Sequence, residues 1–228
     1  MAQGKKYKDA ARSYDREQEF SVGDATSLIV GFPKRSYDET VDMVMRLGVD
    51  PRKADEMIRG TVSLPAGTGK DVRVAVFAQG DAAQAARDAG AEFVGAEDLA
   101  EQVEGGMLDF DVTIAAPDMM PIVGKLGRVL GPRSLMPNPK TGTVTPDVAK
   151  AVEDFKGGKV EFRTDKFANV HVPVGKLSFS PEDLARNVAS VVDEINRLKP
   201  AGAKGQYTKK ANISSTMGPG IKLDVSAL

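Results

Sequence analysis

The chain has 228 residues, a formal net charge of −1, 41% hydrophobic and 28% charged residues, one His and no Cys. That length can bury a real core in one or two domains, and the missing Cys and lone His exclude disulfides, thiolate chemistry and multi-histidine metal sites. No apolar run approaches the roughly 20 residues of a membrane span, and the opening MAQGKKYKDA is basic and polar with no apolar stretch behind it, unlike a secretory signal.

In chain order, residues 24–32 predict a short helix with Asp24 as N-cap. Residues 37–49 carry Val41, Met43, Met45 and Leu47 on alternate positions, the mark of a half-buried strand. A second strand at 58–64 ends at Pro65 and the glycines behind it. The mode then changes. Strand runs at 71–78, 91–96 and 109–117 alternate with helices at 81–90 and 97–106, which implies right-handed crossovers and a mainly parallel sheet. A long loop covers 124–144, and a helix covers 145–158 with Thr145 as N-cap and Pro146 at its first position. From Val160 two strands flank a turn at Thr164–Asn169. An amphipathic helix follows, capped by Ser180 and started by Pro181, with Leu184, Val188, Val191, Ile195 and Leu198 as its apolar stripe. After a flexible AGAKGQY comes one last strand, 209–225.

This order predicts an α+β and α/β protein. Residues 1–67 plus 160–228 form a discontinuous split βαβ sandwich, and residues 68–159 form an inserted, Rossmann-like, doubly wound α/β domain. Two Gly-rich crossings, near 65–70 and 157–160, make a hinge. The outer segments hold 21 Lys and Arg against 18 Asp and Glu, whereas the insert holds 10 against 14. Within the insert, Asp81 to Asp111 is acidic, while GKLGRVLGPRSLMPNPKTGTV (124–144) holds only cations: Lys125, Arg128, Arg133 and Lys140. A basic tip on an acidic body favours a polyanion at one place and repels it elsewhere. Pro132, Pro137 and Pro139 stiffen that tip, and its glycines allow close approach.

Nucleotide motifs fail. GTGK (67–70) has Leu64 where a phosphate loop needs Gly and Asp71 where it needs Ser or Thr. The first strand of the insert is followed by FAQGDAAQ, not GxGxxG. SSTMGPG (214–220) offers hydroxyls at Ser214, Ser215 and Thr216, a soft Met217 and Gly218, suited to sugar edges and phosphates. SYDETVD (36–42) adds a stacking ring at Tyr37 and 2′-OH acceptors at Glu39 and Asp42. His171 shares a hairpin with Arg163 and Lys166, so an RNA-facing histidine is expected over a catalytic one.

These stretches resemble the large-subunit ribosomal protein L-one family. YDETVD with GVDPRKADEMIRGTVSLPAGTGK, then the cationic motif, then VEFRTDK with HVPVGK, then STMGP occur in family order over about residues 5–220. The resemblance implies binding to the mobile stalk of the large-subunit rRNA near the tRNA exit site. It maps RNA contacts onto Tyr37, Thr216, Met217 and Gly218, with Arg163, Asp165, Lys166 and His171 from the hairpin. The family often has Phe at position 37, Glu at 42 and Gly at 134, where this chain has Tyr37, Asp42 and Ser134. It further implies assistance in releasing deacylated exit-site tRNA and repression of its own operon messenger through a mimic of the rRNA site. No enzyme activity, cofactor, metal or membrane is expected, and the free protein is expected to be a cytoplasmic monomer. The rival reading is a small-molecule α/β enzyme using the cationic motif as a phosphate loop, against which stands the absence of any acid within that motif.

Overall fold

The computed structural model describes residues 4–53 and 55–228; positions 1–3, the start of the basic N-terminal segment, and Ala54, within the second motif quoted above, lie outside the described residues. The chain divides into two compact units, Met1–Gly69 with Val160–Leu228, and Lys70–Lys159. In chain order the first unit supplies α1 (Lys5–Arg12), β1 (Glu19–Phe20), α2 (Val22–Val30), β2 (Thr40–Leu47) and β3 (Arg59–Ser63). The second supplies β4 (Val74–Phe77), α3 (Gly80–Asp88), β5 (Phe93–Gly95), α4 (Glu97–Glu104), β6 (Val112–Ala115), α5 (Met120–Lys125), α6 (Gly127–Leu130) and α7 (Val148–Lys156). The chain then returns through β7 (Lys159–Arg163), β8 (Asn169–Lys176), α8 (Pro181–Arg197), β9 (Thr208–Ser215) and β10 (Ile221–Leu223). This is a mixed α/β protein with several sheets.

The first unit is built on a five-stranded sheet of order β1-β10-β9-β2-β8, parallel only at β1–β10, with β3 and β7 as a separate pair. The period-two pattern of β2 works as its sequence demands. Val41, Met43, Met45 and Leu47 are buried, while Thr40, Asp42, Val44 and Arg46 face the other way. Val170, Val172, Val174, Ala211, Ile213, Ile221 and Leu223 join the buried face beneath Ile29 of α2 and the Leu184–Ile195 stripe of α8.

The second unit has a parallel three-stranded sheet of order β5-β4-β6. Residues 143–145 extend it beside β6: Ala115 N–H donates to Thr143 C=O at 2.9 Å, and Thr145 N–H donates to Ala115 C=O at 3.2 Å.

Several local expectations change. Ser21, not Asp24, caps α2; its hydroxyl accepts from Asp24 N–H at 3.2 Å and donates to the Asp24 carboxylate at 2.7 Å, a reciprocal box that places Asp24 inside the first turn. Asp147, not Thr145, caps α7. Thr145 is held extended against β6, so the helix cannot begin until past Pro146. The segment 124–144 is not an open loop. Val123, Leu126 and Leu130 are buried and pull α5 and α6 onto the core, followed by 3₁₀ turns at Gly131–Arg133 and Pro139–Thr141. Ser134 adopts the left-handed region, φ 59°, which costs a non-glycine residue about 1–2 kcal/mol. The final strand is a hairpin, because Gly218-Pro219-Gly220 breaks pairing between β9 and β10. The helix α1, whose Tyr7, Ala10 and Ala11 fall at helical spacing, and the two-residue strand β1 are not among the expected elements.

Asn187, fully buried on α8, ties the sheet to the segment leaving the unit. Its amide donates to Gly67 C=O at 3.0 Å and Val174 C=O at 2.7 Å and accepts from Ala66 N–H at 3.0 Å. Asn187→Ala strands these backbone groups, so it should lower unfolding free energy by about 2–4 kcal/mol. Urea denaturation followed by far-UV circular dichroism checks this, and an unchanged midpoint would contradict it.

Candidate nucleic-acid interface

The expected contact residues fall on both units, twelve on the first and Lys125, Arg128, Arg133 and Lys140 on the second. On the first unit they follow the length of β2. At the start of β2, Glu39 is 3% exposed. Its carboxylate accepts the Ser215 hydroxyl and the Met217 N–H, each at 2.9 Å, and lies 3.5 Å from the Arg35 guanidinium. Its carbonyl accepts from Leu177 N–H at 2.9 Å. Beside it Thr216 doubles the joint: its N–H donates to Thr40 C=O at 3.0 Å, and its hydroxyl accepts from Thr40 N–H at 3.1 Å. The turn after β9 is thereby clamped to the entry of β2. Tyr37 lies two residues before Glu39, so at most about 7 Å of chain separates it from this clamp. Tyr37 and Met217 project from the joint, 52% and 50% exposed. Gly218 is required by space alone: a Cβ there would sit 2.4 Å from the Ser215 hydroxyl.

Two expectations are corrected here. Glu39 and Ser215 are not accessible to a ligand, because burial commits them to each other and to Met217 N–H. Thr216 is exposed, yet its hydroxyl already serves Thr40.

Further along, the open sheet face presents rows across three strands: Ser214, Asp42 and Pro173; then Asn212, Val44 and His171; then Lys210, Arg46 and Asn169. Burial holds the Asp42 carboxyl above the ordinary aspartate pKa, against the opposing charges of His171 and Lys176. A carboxylate so placed gains from an incoming hydroxyl donor. At the far end, the β7–β8 turn carries Arg163, Asp165 and Lys166. Asp165 is partly desolvated, which raises its pKa, but bonds from Asn169, Phe167 and His171 outweigh this and leave it lowered. His171 Nε2 lies 3.6 Å from the Asp165 carboxylate. The patch therefore extends roughly 25 Å, the run of an eight-residue strand with its flanking turns.

On the second unit all four cations are exposed. Asn138 organises their last turn: its N–H donates to the Thr143 hydroxyl at 2.7 Å, its side chain accepts from Lys140 N–H at 2.8 Å, and its carbonyl accepts from the Thr141 hydroxyl at 3.0 Å. Among the described residues no group of three acids or histidines could hold a metal ion, and no helix is long and apolar enough to cross a membrane.

Comparison with known proteins decides the family. The sequence model of the ribosomal protein L1p/L10e family matches residues 29–219. The chain belongs to that family. It is 59% identical over 224 residues to the large ribosomal subunit protein uL1 of Nocardioides sp. (strain ATCC BAA-499 / JS614), covering 98% of this chain and 93% of that one. It is 58% identical over 224 residues to that of Cutibacterium acnes (strain DSM 16379 / KPA171202), covering 98% and 97%. Identity to that of Clavibacter michiganensis subsp. michiganensis (strain NCPPB 382) is 55% over 228 residues, with both chains covered in full. An L1p/L10e protein is structural rather than enzymatic, which disposes of the rival small-molecule enzyme.

In this L1p/L10e protein, sequence reasoning passed over Arg46 and Lys210, which the alternation of β2 and its pairing with β9 put on the open face. It also passed over Phe167 and Met57, large apolar side chains left in solvent. An aromatic residue inside the polar turn TDKFAN is the signal that could have found Phe167.

Glu39→Ala leaves a buried hydroxyl, a partly buried N–H and the Arg35 charge without their acceptor. It should cost about 3–5 kcal/mol and speed amide exchange at Thr216 and Met217. Wild-type exchange rates at both amides would show that Glu39 does not hold this turn.

Proposed function

We propose that this protein is a non-catalytic constituent of the large ribosomal subunit, cytoplasmic with it, whose first unit binds the mobile rRNA stalk beside the tRNA exit site. The subunit assignment is supported by the uL1 relatives, each called a large ribosomal subunit protein. One observation carries the contact surface: the Glu39 clamp presents Tyr37 and Met217 at the edge of an open sheet face bearing Ser214, Asn212, Asp42 and His171. RNA helices hide their base edges in a deep narrow groove, so shape, 2′-hydroxyls and unstacked bases are what a protein can read. Hydroxyls, amides, a thioether and a ring suit that task, and a net charge of −1 is then no obstacle.

In this reading the first unit is a split βαβ sandwich interrupted by a Rossmann-like, doubly wound insert, with hinges at 65–70 and 157–160. The insert offers Lys125, Arg128, Arg133 and Lys140 to a second phosphate backbone, including that of exit-site tRNA, and so assists release of deacylated tRNA. A messenger segment copying the rRNA site would occupy the same surface, making the free monomer a repressor of its own operon.

Met217 is the cleanest probe, since its side chain is half in solvent while its N–H serves Glu39. Met217→Asp should weaken binding to a stalk rRNA fragment by about 1–3 kcal/mol, with a parallel loss on the operon messenger. Filter binding at two salt concentrations measures this; wild-type affinity in the variant would remove the proposed surface.

Replacing residues 70–159 with a short Gly linker should leave a first unit that folds and retains most stalk affinity. A deletion product that is unfolded by circular dichroism would refute the division into an independent unit and an insert.

A further inference from the structure

Phe167 has no part in the surface just described. It sits at the tip of the β7–β8 turn, 66% exposed, the most exposed large apolar side chain among the described residues. The turn that carries it is built to be stiff. The Asp165 carboxylate accepts Phe167 N–H and Asn169 N–H, each at 2.8 Å, and the Asn169 side-chain amide at 3.0 Å. Asp165 N–H donates to Asn169 C=O at 2.8 Å, and Ala168 N–H returns to Asp165 C=O at 3.1 Å. Ala168 is buried with φ 62°, a conformation an L residue adopts only when its surroundings impose it. Its carbonyl accepts from Leu47 N–H at 2.9 Å, which fastens the tip to the end of β2.

The surroundings of the ring are cationic. Lys166 Nζ lies 5.1 Å from the ring centroid. Arg163, at the end of β7, places its guanidinium 3.6 Å from the sulfur of the exposed Met57. The nearby acid, Asp165, is already occupied by its own donors. An exposed ring on a rigid tip, with Lys166 over its face and Arg163 four residues before it, fits a base carried on a phosphate backbone better than an apolar protein segment.

We infer that Phe167 is a second stacking platform, which receives one unpaired nucleobase of the bound RNA while Arg163 and Lys166 hold adjacent phosphates. This rests on the RNA-binding reading above and adds a contact at the opposite end of β2 from Tyr37 and Met217.

The test is filter binding of the full chain to a stalk rRNA fragment, with 2-aminopurine placed in turn at its unpaired positions. Phe167→Ala should weaken affinity about 5- to 100-fold, the range for loss of one stacked base, without changing the salt slope. It should also abolish the fluorescence quenching of one 2-aminopurine position. Phe167→Trp should restore both, and Phe167→Leu neither. Lys166→Gln should instead flatten the salt slope by about one. Because the Phe167 side chain lies outside the core, the Phe167→Ala thermal midpoint should match wild type.

Affinity of Phe167→Ala within about twofold of wild type, a smaller change than any single important contact gives, overturns the inference. So does equal rescue by Leu and Trp, which would mark a generic apolar contact. Normal RNA affinity combined with failure to enter reconstituted large subunits would assign the ring to a protein neighbour instead. If the wild-type chain fails to bind the fragment, the parent reading falls. If it binds and Met217→Asp weakens it while Phe167→Ala does not, only the Phe167 platform falls.

Discussion

The exposed edge of the first unit depends on one buried carboxylate. Glu39 stands just before β2 and collects the Ser215 hydroxyl, the Met217 N–H and the Arg35 charge. A buried carboxylate is tolerated only when its lone pairs are used, and here their use ties the turn after β9 to the entry of β2. Met217 is presented outward because its own N–H is drawn inward. The space-imposed Gly218 follows from the same joint. An acid that reads in the sequence as a ligand for RNA is the part that fixes the turn carrying Met217.

The same logic recurs at the other end of the sheet. Asp165 reads as a contact residue, and its carboxylate is spent on Phe167 and Asn169. In both places an acid organises a turn, and the residue beside it projects into solvent. At the Met217 end the acid that does this is itself buried, so it adds no exposed negative charge beside the projecting side chain. The cations Arg46, Lys210, Arg163 and Lys166 gather at the far end of the open face, so attraction is strongest there.

The second unit concentrates its charge instead. Its cationic motif is a succession of short helical turns held down by Val123, Leu126 and Leu130, so Lys125 and Arg128 sit on backbone pinned to the core. Asn138 and its two threonine neighbours close the final turn beneath Lys140. Cations held on ordered backbone lose less entropy on meeting an anion than cations on a free loop.

The alternation of β2, the stripe of α8, the Ser180–Pro181 start and the strand–helix rhythm of the second unit were all legible in the chain, because periodicity and capping are local properties. So was the family, since its motifs run in order along the sequence. What the chain did not disclose depended on partners far away in sequence. Whether Glu39 faces water or Ser215, 176 residues on, is settled only when β2 and β9 pair. Whether the 124–144 segment hangs free or coils against the core is settled by which of its few apolar residues find a buried surface. How the turn bearing Phe167 is fixed depends on Leu47 N–H donating to Ala168 C=O, a bond that exists only once β8 has aligned with β2. Sequence determined which residues carry the chemistry; long-range pairing decided which of them stay in solvent, because a hydrogen bond made inside the fold is no longer available to a ligand.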